Sequence, residues 1–91
     1  MSSGIVDNVA RARFELTEQG LTAFADYRRE GDTLILPHVE APAQLRGKGA
    51  AGRLMTGVLE LARAQGLKVV PRCPYAKLFI ERHPEYRDLV A

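Results

Sequence analysis

Polar and apolar positions alternate in two stretches near the start of the chain. In Arg11-Ala12-Arg13-Phe14-Glu15-Leu16, Ala12, Phe14 and Leu16 share one side and the charged residues the other. That is the period of a half-buried strand. Thr17-Glu18-Gln19-Gly20 reads as its turn. Leu21 to Tyr27 alternates again and gives way to a turn at Arg29-Glu30-Gly31-Asp32. Thr33-Leu34-Ile35-Leu36 is apolar without alternation, as a strand at the centre of a sheet is; we carry it over 33–38. Turns this short cannot hold a crossover, so the three strands are predicted as an antiparallel meander.

After a loop from Val39 to Arg46 the period changes. Leu54, Val58, Leu61 and Gln65 fall three or four apart and predict a helix over 50–65, with Gly66 at its C-terminal cap. Gly57 weakens that helix by about 1 kcal/mol against alanine, which a close helix-to-sheet contact would explain. Leu67 to Val70 is a fourth strand. Strand, helix, strand over this length makes a parallel pair with a right-handed crossover. Pro74 opens a short helix whose apolar residues are Tyr75, Leu78 and Phe79, and His83-Pro84 stops it. Tyr86, Leu89 and Val90 are expected to pack back onto the core, and the first eight or so residues to be loose. The fold class is therefore α/β: a three-stranded antiparallel meander, a helical crossover to a parallel fourth strand, and a short C-terminal helix.

Composition narrows the function classes. Ninety-one residues fit one domain, 1–91. With 46% hydrophobic and 26% charged residues, disorder is excluded. One cysteine allows no internal disulfide, and no Cys/His cluster has zinc-ligand spacing, so no metal is expected. No apolar run reaches the roughly 18 residues of a membrane span. Met1 to Asp7 has no basic patch leading into an apolar stretch, which argues against a signal peptide. A cytoplasmic monomer is the expectation. Net charge is only +2, but it is unevenly spread. Residues 1–40 hold four basic and seven acidic side chains, and residues 41–91 nine and four. Ala41 to Leu59 contains no acid, while Arg46, Lys48 and Arg53 sit among glycines. A positive field around a glycine-rich turn suits a small anionic ligand better than a long polyanion.

That turn, Gln44-Leu45-Arg46-Gly47-Lys48-Gly49-Ala50-Ala51-Gly52, lies between a buried strand and a helix. Backbone N–H groups at a helix start can close around phosphate oxygens once side chains are out of the way. Gly47, Gly49 and Gly52 spell GxGxxG. In the dinucleotide fold, however, the first glycine directly follows the strand, and an acid follows the next one. Here several residues intervene and Val69-Val70-Pro71-Arg72 stands where the acid would be. The GxxxxGK[ST] spacing of a P-loop is absent too.

Gln44-x-x-Gly47-x-Gly49-Ala50 resembles instead the coenzyme A turn of the GNAT N-acetyltransferases. Four blocks in order, His38 to Pro42, Leu45 to Gly49, Pro71 to Tyr75 and His83 to Tyr86, are similar to a minimal, YjdJ-type GNAT-like family of about this length. The resemblance covers most of the chain, from about Leu21 to Leu89. It implies a reduced GNAT fold, acetyl-CoA as cosubstrate, and transfer of the acetyl group to a small-molecule or protein amine. It implies cofactor contacts from Gln44, Leu45, Arg46, Gly47, Lys48, Gly49 and Ala50, and a catalytic role for Cys73. Val39 and Ala41 stand where threonine and valine are common in that family. Phe79 stands where these enzymes often carry a tyrosine acid; Tyr75 is then the hydroxyl left for that task.

The pantetheine arm is expected to run along Leu36 to Glu40 as an extra strand would, with Val39 among its contacts. Cys73 directly precedes Pro74 at the start of a helix, where unbonded N–H groups stabilise a thiolate. Glu40 and His38, two apart on one strand, share a face and are the candidate bases. His83 is expected to pack or cap before Pro84. A non-catalytic acyl-CoA-binding or sensing domain would share the turn without needing Cys73. An interaction module built on the basic half is the third class; it lacks the aromatic interleaving of a nucleic-acid surface.

Overall fold

The computed structural model describes residues 4–91. Five strands form one sheet in the order β1 (Val6–Asn8), β2 (Arg13–Glu18), β3 (Leu21–Glu30), β4 (Thr33–Glu40), β5 (Lys68–Pro71). The first four pair antiparallel and β4 pairs β5 in parallel. The connection between β4 and β5 is α1 (Ala50–Ala64), and α2 (Pro74–Arg82) follows β5. A final 3-10 segment, Pro84–Leu89, returns to the sheet. The fold class read from the sequence is the one observed, with one strand more.

That strand is β1, in a stretch expected to be loose. Asp7 and Asn8 hold it to its neighbours: Tyr27 Oη donates to Asp7 at 2.7 Å, and Asn8 Nδ2 donates to Glu15 at 3.0 Å. Asn8 also caps the 3-10 turn Val9–Arg11 by accepting from the Arg11 N–H. Ala12 closes that turn at φ 52 and is exposed, so it does not share the Phe14–Leu16 face as alternation predicts.

α1 lies across β2 and β3. Its Leu54, Met55, Val58, Leu59 and Ala62 are buried with Phe14, Leu16, Ala23 and Ala25 of the sheet. Full burial of such side chains stabilises by roughly 1.5–3 kcal/mol each for the larger ones. Gly57 is buried as well. In α2 the buried residues are Ala76, Phe79 and Ile80, whereas Leu78 is exposed. Tyr86 and Leu89 do pack inward. Val90 stays exposed and instead bridges Val69 of β5, with the Ala91 N–H donating to Val69 O at 2.9 Å.

β4 runs to Glu40, two residues past the end at His38 that the sequence predicts. Partner pairing explains the extension. The Tyr27 N–H bonds Ala12 O at 2.9 Å, so Tyr27 and Ala25 turn their peptide groups to β2. Phe24, Asp26 and Arg28 therefore turn theirs to β4, where they face Glu40, His38 and Ile35. Asp26 and Arg28 are two apart while His38 and Ile35 are three apart, so β4 carries one extra residue, a bulge at Leu36-Pro37. Proline has no N–H to lose and is tolerated there.

Candidate functional site

The bulge decides which backbone groups are free. Leu36 turns its carbonyl to β5 and accepts from Arg72 N–H at 3.0 Å and Cys73 N–H at 3.1 Å. It is therefore occupied and cannot serve a ligand, as the extended segment Leu36 to Glu40 suggests it would. β5 ends at Pro71 while β4 continues. Beyond the bulge, His38 and Glu40 turn their peptide groups to β3, and Val39 presents its N–H and C=O on the open side. The two parallel strands part here, leaving one strand edge with one free peptide group.

The glycine turn faces this gap. A 3-10 segment, Ala43–Leu45, is pinned by buried Leu45. Arg46 N–H bonds Ala43 O and Lys48 N–H bonds Leu45 O, which fixes the turn from below. Gly47 at φ 79 and Gly49 at φ 81 lie in the left-handed region that other L-residues rarely adopt. Gly49 is the N-cap of α1, and no side chain caps the helix. The first helical bond is Arg53 N–H to Gly49 O at 2.9 Å. The N–H groups of Ala50, Ala51 and Gly52 precede it and are left for another acceptor. A Cβ at Gly47 would meet nothing within 4 Å, so the turn is open on that side. A Cβ at Gly49 would lie 2.9 Å from Arg53 Nη1. Arg53 is held in that place by Glu18, through Nε and Nη2 at 2.7 Å each. The pair raises the Arg53 pKa and lowers that of Glu18, mainly through these hydrogen bonds.

Strand edge and turn enclose a cleft of about 620 Å³. His38, Val39, Glu40 and Ala41 form one wall; Leu45, Arg46, Gly47, Gly49 and Ala50 form the other. Ala51, Gly52 and Tyr75 complete it. Eight of the residues singled out from the sequence thus meet in one place. Gln44 and Lys48 lie exposed on the turn outside the lining, and Cys73 is outside it too. A shallower groove of about 530 Å³ adjoins through Gly49 and Gly52 and includes Arg53, Thr56, Phe79 and His83.

His38 Nε2 and Glu40 Oε1 are 2.9 Å apart, both about half exposed. They share a face, as their spacing predicts. It is the face away from α1, because Val39 pairs with buried Ala25 on the helix side. Cys73 is the N-cap of α2, the position expected. Its thiol does not cap the helix; it is 6% exposed and packs among the core residues.

Tyr75, named from the sequence as the hydroxyl left for the acid's task, lines the cleft. It is 37% exposed, and its hydroxyl lies 3.8 Å from where a Gly52 Cβ would be. Its pKa is raised, first by burial and then by the charge of nearby Cys73. The helix start at Pro74 was the available signal, since it sets Tyr75 in the first turn, beside the turn of α1. Phe79 is buried, its ring stacked on His83 at 4.0 Å, and His83 Nδ1 donates to Phe79 O at 2.8 Å. His83 therefore packs and caps, as expected. Among the described residues no group of three or more His, Cys, Asp or Glu is placed to hold a metal ion, and no helix is long and apolar enough to cross a membrane.

Comparison with known proteins follows the same outline. A family model described as GCN5-related N-acetyl-transferase matches residues 13–89. A solution NMR structure of a GCN5-like, presumptive N-acetyltransferase from Staphylococcus aureus is 26% identical, with a TM-score of 0.74. That match covers 100% of this chain and 91% of the other. No curated protein matches the chain.

Proposed function

From a chain that belongs to the GCN5-related N-acetyl-transferase family, we propose an enzyme that transfers the acetyl group of acetyl-CoA to an amine. Within the family we set it beside the small YjdJ-type members, on the four motif blocks His38–Pro42, Leu45–Gly49, Pro71–Tyr75 and His83–Tyr86. The observation that supports the reading most is the meeting, in one cleft, of unbonded N–H groups at the start of α1 with the free Val39 peptide on β4.

The cleft fits the cosubstrate. Gly47 leaves room where a Cβ would stand, and Ala50 to Gly52 offer N–H groups at the positive end of α1 for a diphosphate. Arg46, in the lining, and Lys48, beside it, add positive charge. Val39 is placed to bond a pantetheine amide as a neighbouring strand would. Bound acetyl-CoA would supply an activated thioester. The His38–Glu40 pair takes a proton from the acceptor ammonium and so frees the amine lone pair for attack, Glu40 orienting the imidazole. The Tyr75 hydroxyl, the one phenol in the lining, donates toward the departing sulfur. Burial of Cys73 at 6% exposure favours direct transfer over an acetyl-cysteine relay. The lone free cysteine suits a reducing compartment, and we place the enzyme in the cytoplasm.

Titration calorimetry with CoA and a thiol-release assay over a panel of amines test this. Saturable CoA binding with release on at least one amine is the expected result. Binding without release on any amine identifies an acyl-CoA-binding module; no binding overturns the proposal.

A further inference from the structure

A second cleft, of about 650 Å³, shares no lining residue with the glycine-turn cleft. It lies at the outer edge of β5, between that strand, α2 and the C-terminal segment. Its floor is apolar, made by Val70, Pro71 and buried Ile80. Around the floor stand Arg72, Lys77 and Arg87, with Glu81 the one acid in the lining. Among the described residues no side-chain hydrogen bond or ion pair engages any of these four. Arg13, Arg28, Arg53 and Arg63 each have a carboxylate partner, whereas these three cations, like Arg11, Arg29, Arg46, Lys48, Lys68 and Arg82, have none within ion-pair distance among the described residues. Three cations against one acid leave the cleft with a net positive charge, and an anion seated there relieves the repulsion among them.

We propose that this cleft binds a small anionic molecule with an apolar body, an acyl or aryl carboxylate, independently of the acetyl-transfer site. Charge complementarity selects the head group, and the floor selects the body. The volume falls in the range of small-molecule sites, roughly 300–1,000 Å³. An added peptide strand does not fit this edge. The Val69 carbonyl already accepts from Ala91, and Pro71 has no N–H to offer. The cleft also touches the transfer site through one turn. Arg72 lines it, Cys73 follows, and Tyr75 lines the other cleft. Both Arg72 and Cys73 hang by their N–H groups from Leu36 O, so the turn is fixed between the two.

Titration of the isotope-labelled full chain with octanoate, followed by amide NMR shifts, tests the proposal. Saturable shifts at Val70, Lys77, Ile80 and Glu81 are expected, persisting when CoA is present. Octanamide, equal in shape but neutral, is expected to bind about tenfold more weakly, as are Arg72→Gln and Arg87→Gln, each losing one charge-assisted contact. Both arginines are exposed, and an unchanged spectrum of the free variants verifies their folding. Equal affinity for octanamide, shifts at Gly47 to Gly52 instead, displacement of octanoate by CoA, or no saturation overturns it.

Discussion

Replacing Gly52 by alanine should stabilise the protein and weaken its hold on CoA. Gly52 is the third residue of α1, and its φ is not in the left-handed region. Glycine in a helix costs up to about 1 kcal/mol against alanine, and this near the helix start roughly half of that. The new Cβ would stand 3.7 Å from Phe79 Cε2 and 3.8 Å from Tyr75 Oη, ordinary van der Waals distances. It therefore adds contact without strain, a fraction of the roughly 0.8 kcal/mol of a fully buried methylene. The sum is about +1 kcal/mol, or an increase of about 4–8 °C in Tm for a domain of this size. The same methyl, however, projects where the glycine-turn cleft and its adjoining groove meet. A diphosphate seated on the first turn loses close approach, for an expected tenfold drop in affinity, about 1.4 kcal/mol. Urea unfolding followed by circular dichroism reads the first effect and calorimetry with CoA the second. Gly66→Ala is the control: at φ 69 with nothing within 4 Å it should cost about 1 kcal/mol and leave affinity unchanged. A destabilised Gly52→Ala protein would refute the packing argument. A stabilised one that binds CoA as well as wild type would refute the placement of the phosphates.

Other outcomes follow from the same geometry. His38→Gln and Glu40→Gln should each lower kcat/KM and alter the acidic limb of its pH profile; unchanged profiles in both would remove the pair as the base. Cys73→Ala should keep turnover while losing about 1 kcal/mol of stability, and loss of turnover in a folded variant would restore the thiol to the chemistry. Leu54→Ala, at a fully buried position, should cost about 2–5 kcal/mol in urea unfolding. Tyr86 donates to Glu60 at 2.7 Å, and burial, then this bond, pushes its pKa to about 12. The folded state thus favours the protonated phenol. Its stabilisation is complete below about pH 10, the ordinary tyrosine value, and is lost as pH rises through about 12. Urea midpoints measured across that range should fall, and less steeply in Tyr86→Phe; equal slopes would discount the bond.

Much of the framework was legible residue by residue. The helix of α1 is written in the spacing of Leu54, Val58 and Leu61, and its end in Gly66. Pro74 marks the start of α2, and short turns impose the meander. The glycine turn was legible because its residues act locally: each supplies a torsion or an absent side chain to its own segment. Spacing also put His38 and Glu40 on one face, since two residues make one period of a strand.

Contacts between distant segments settled the rest. β1 exists because β2 and Tyr27 offer it partners, which nothing within Val6–Asn8 reveals. The bulge at Leu36-Pro37, and with it the free peptide of Val39, depends on matching β4 against Phe24 to Arg28. Cys73 stands at the helix start that its sequence neighbours predict, yet its side chain turns into the core. Tyr75 reaches the cleft only because α2 brings it against Gly52 of α1. Period, caps and turn torsions are properties of a few consecutive residues and can be read from them. Register, the side a buried side chain takes, and the room left between two helices are decided by how the whole chain buries its apolar surface at once, and only the assembled molecule holds that answer.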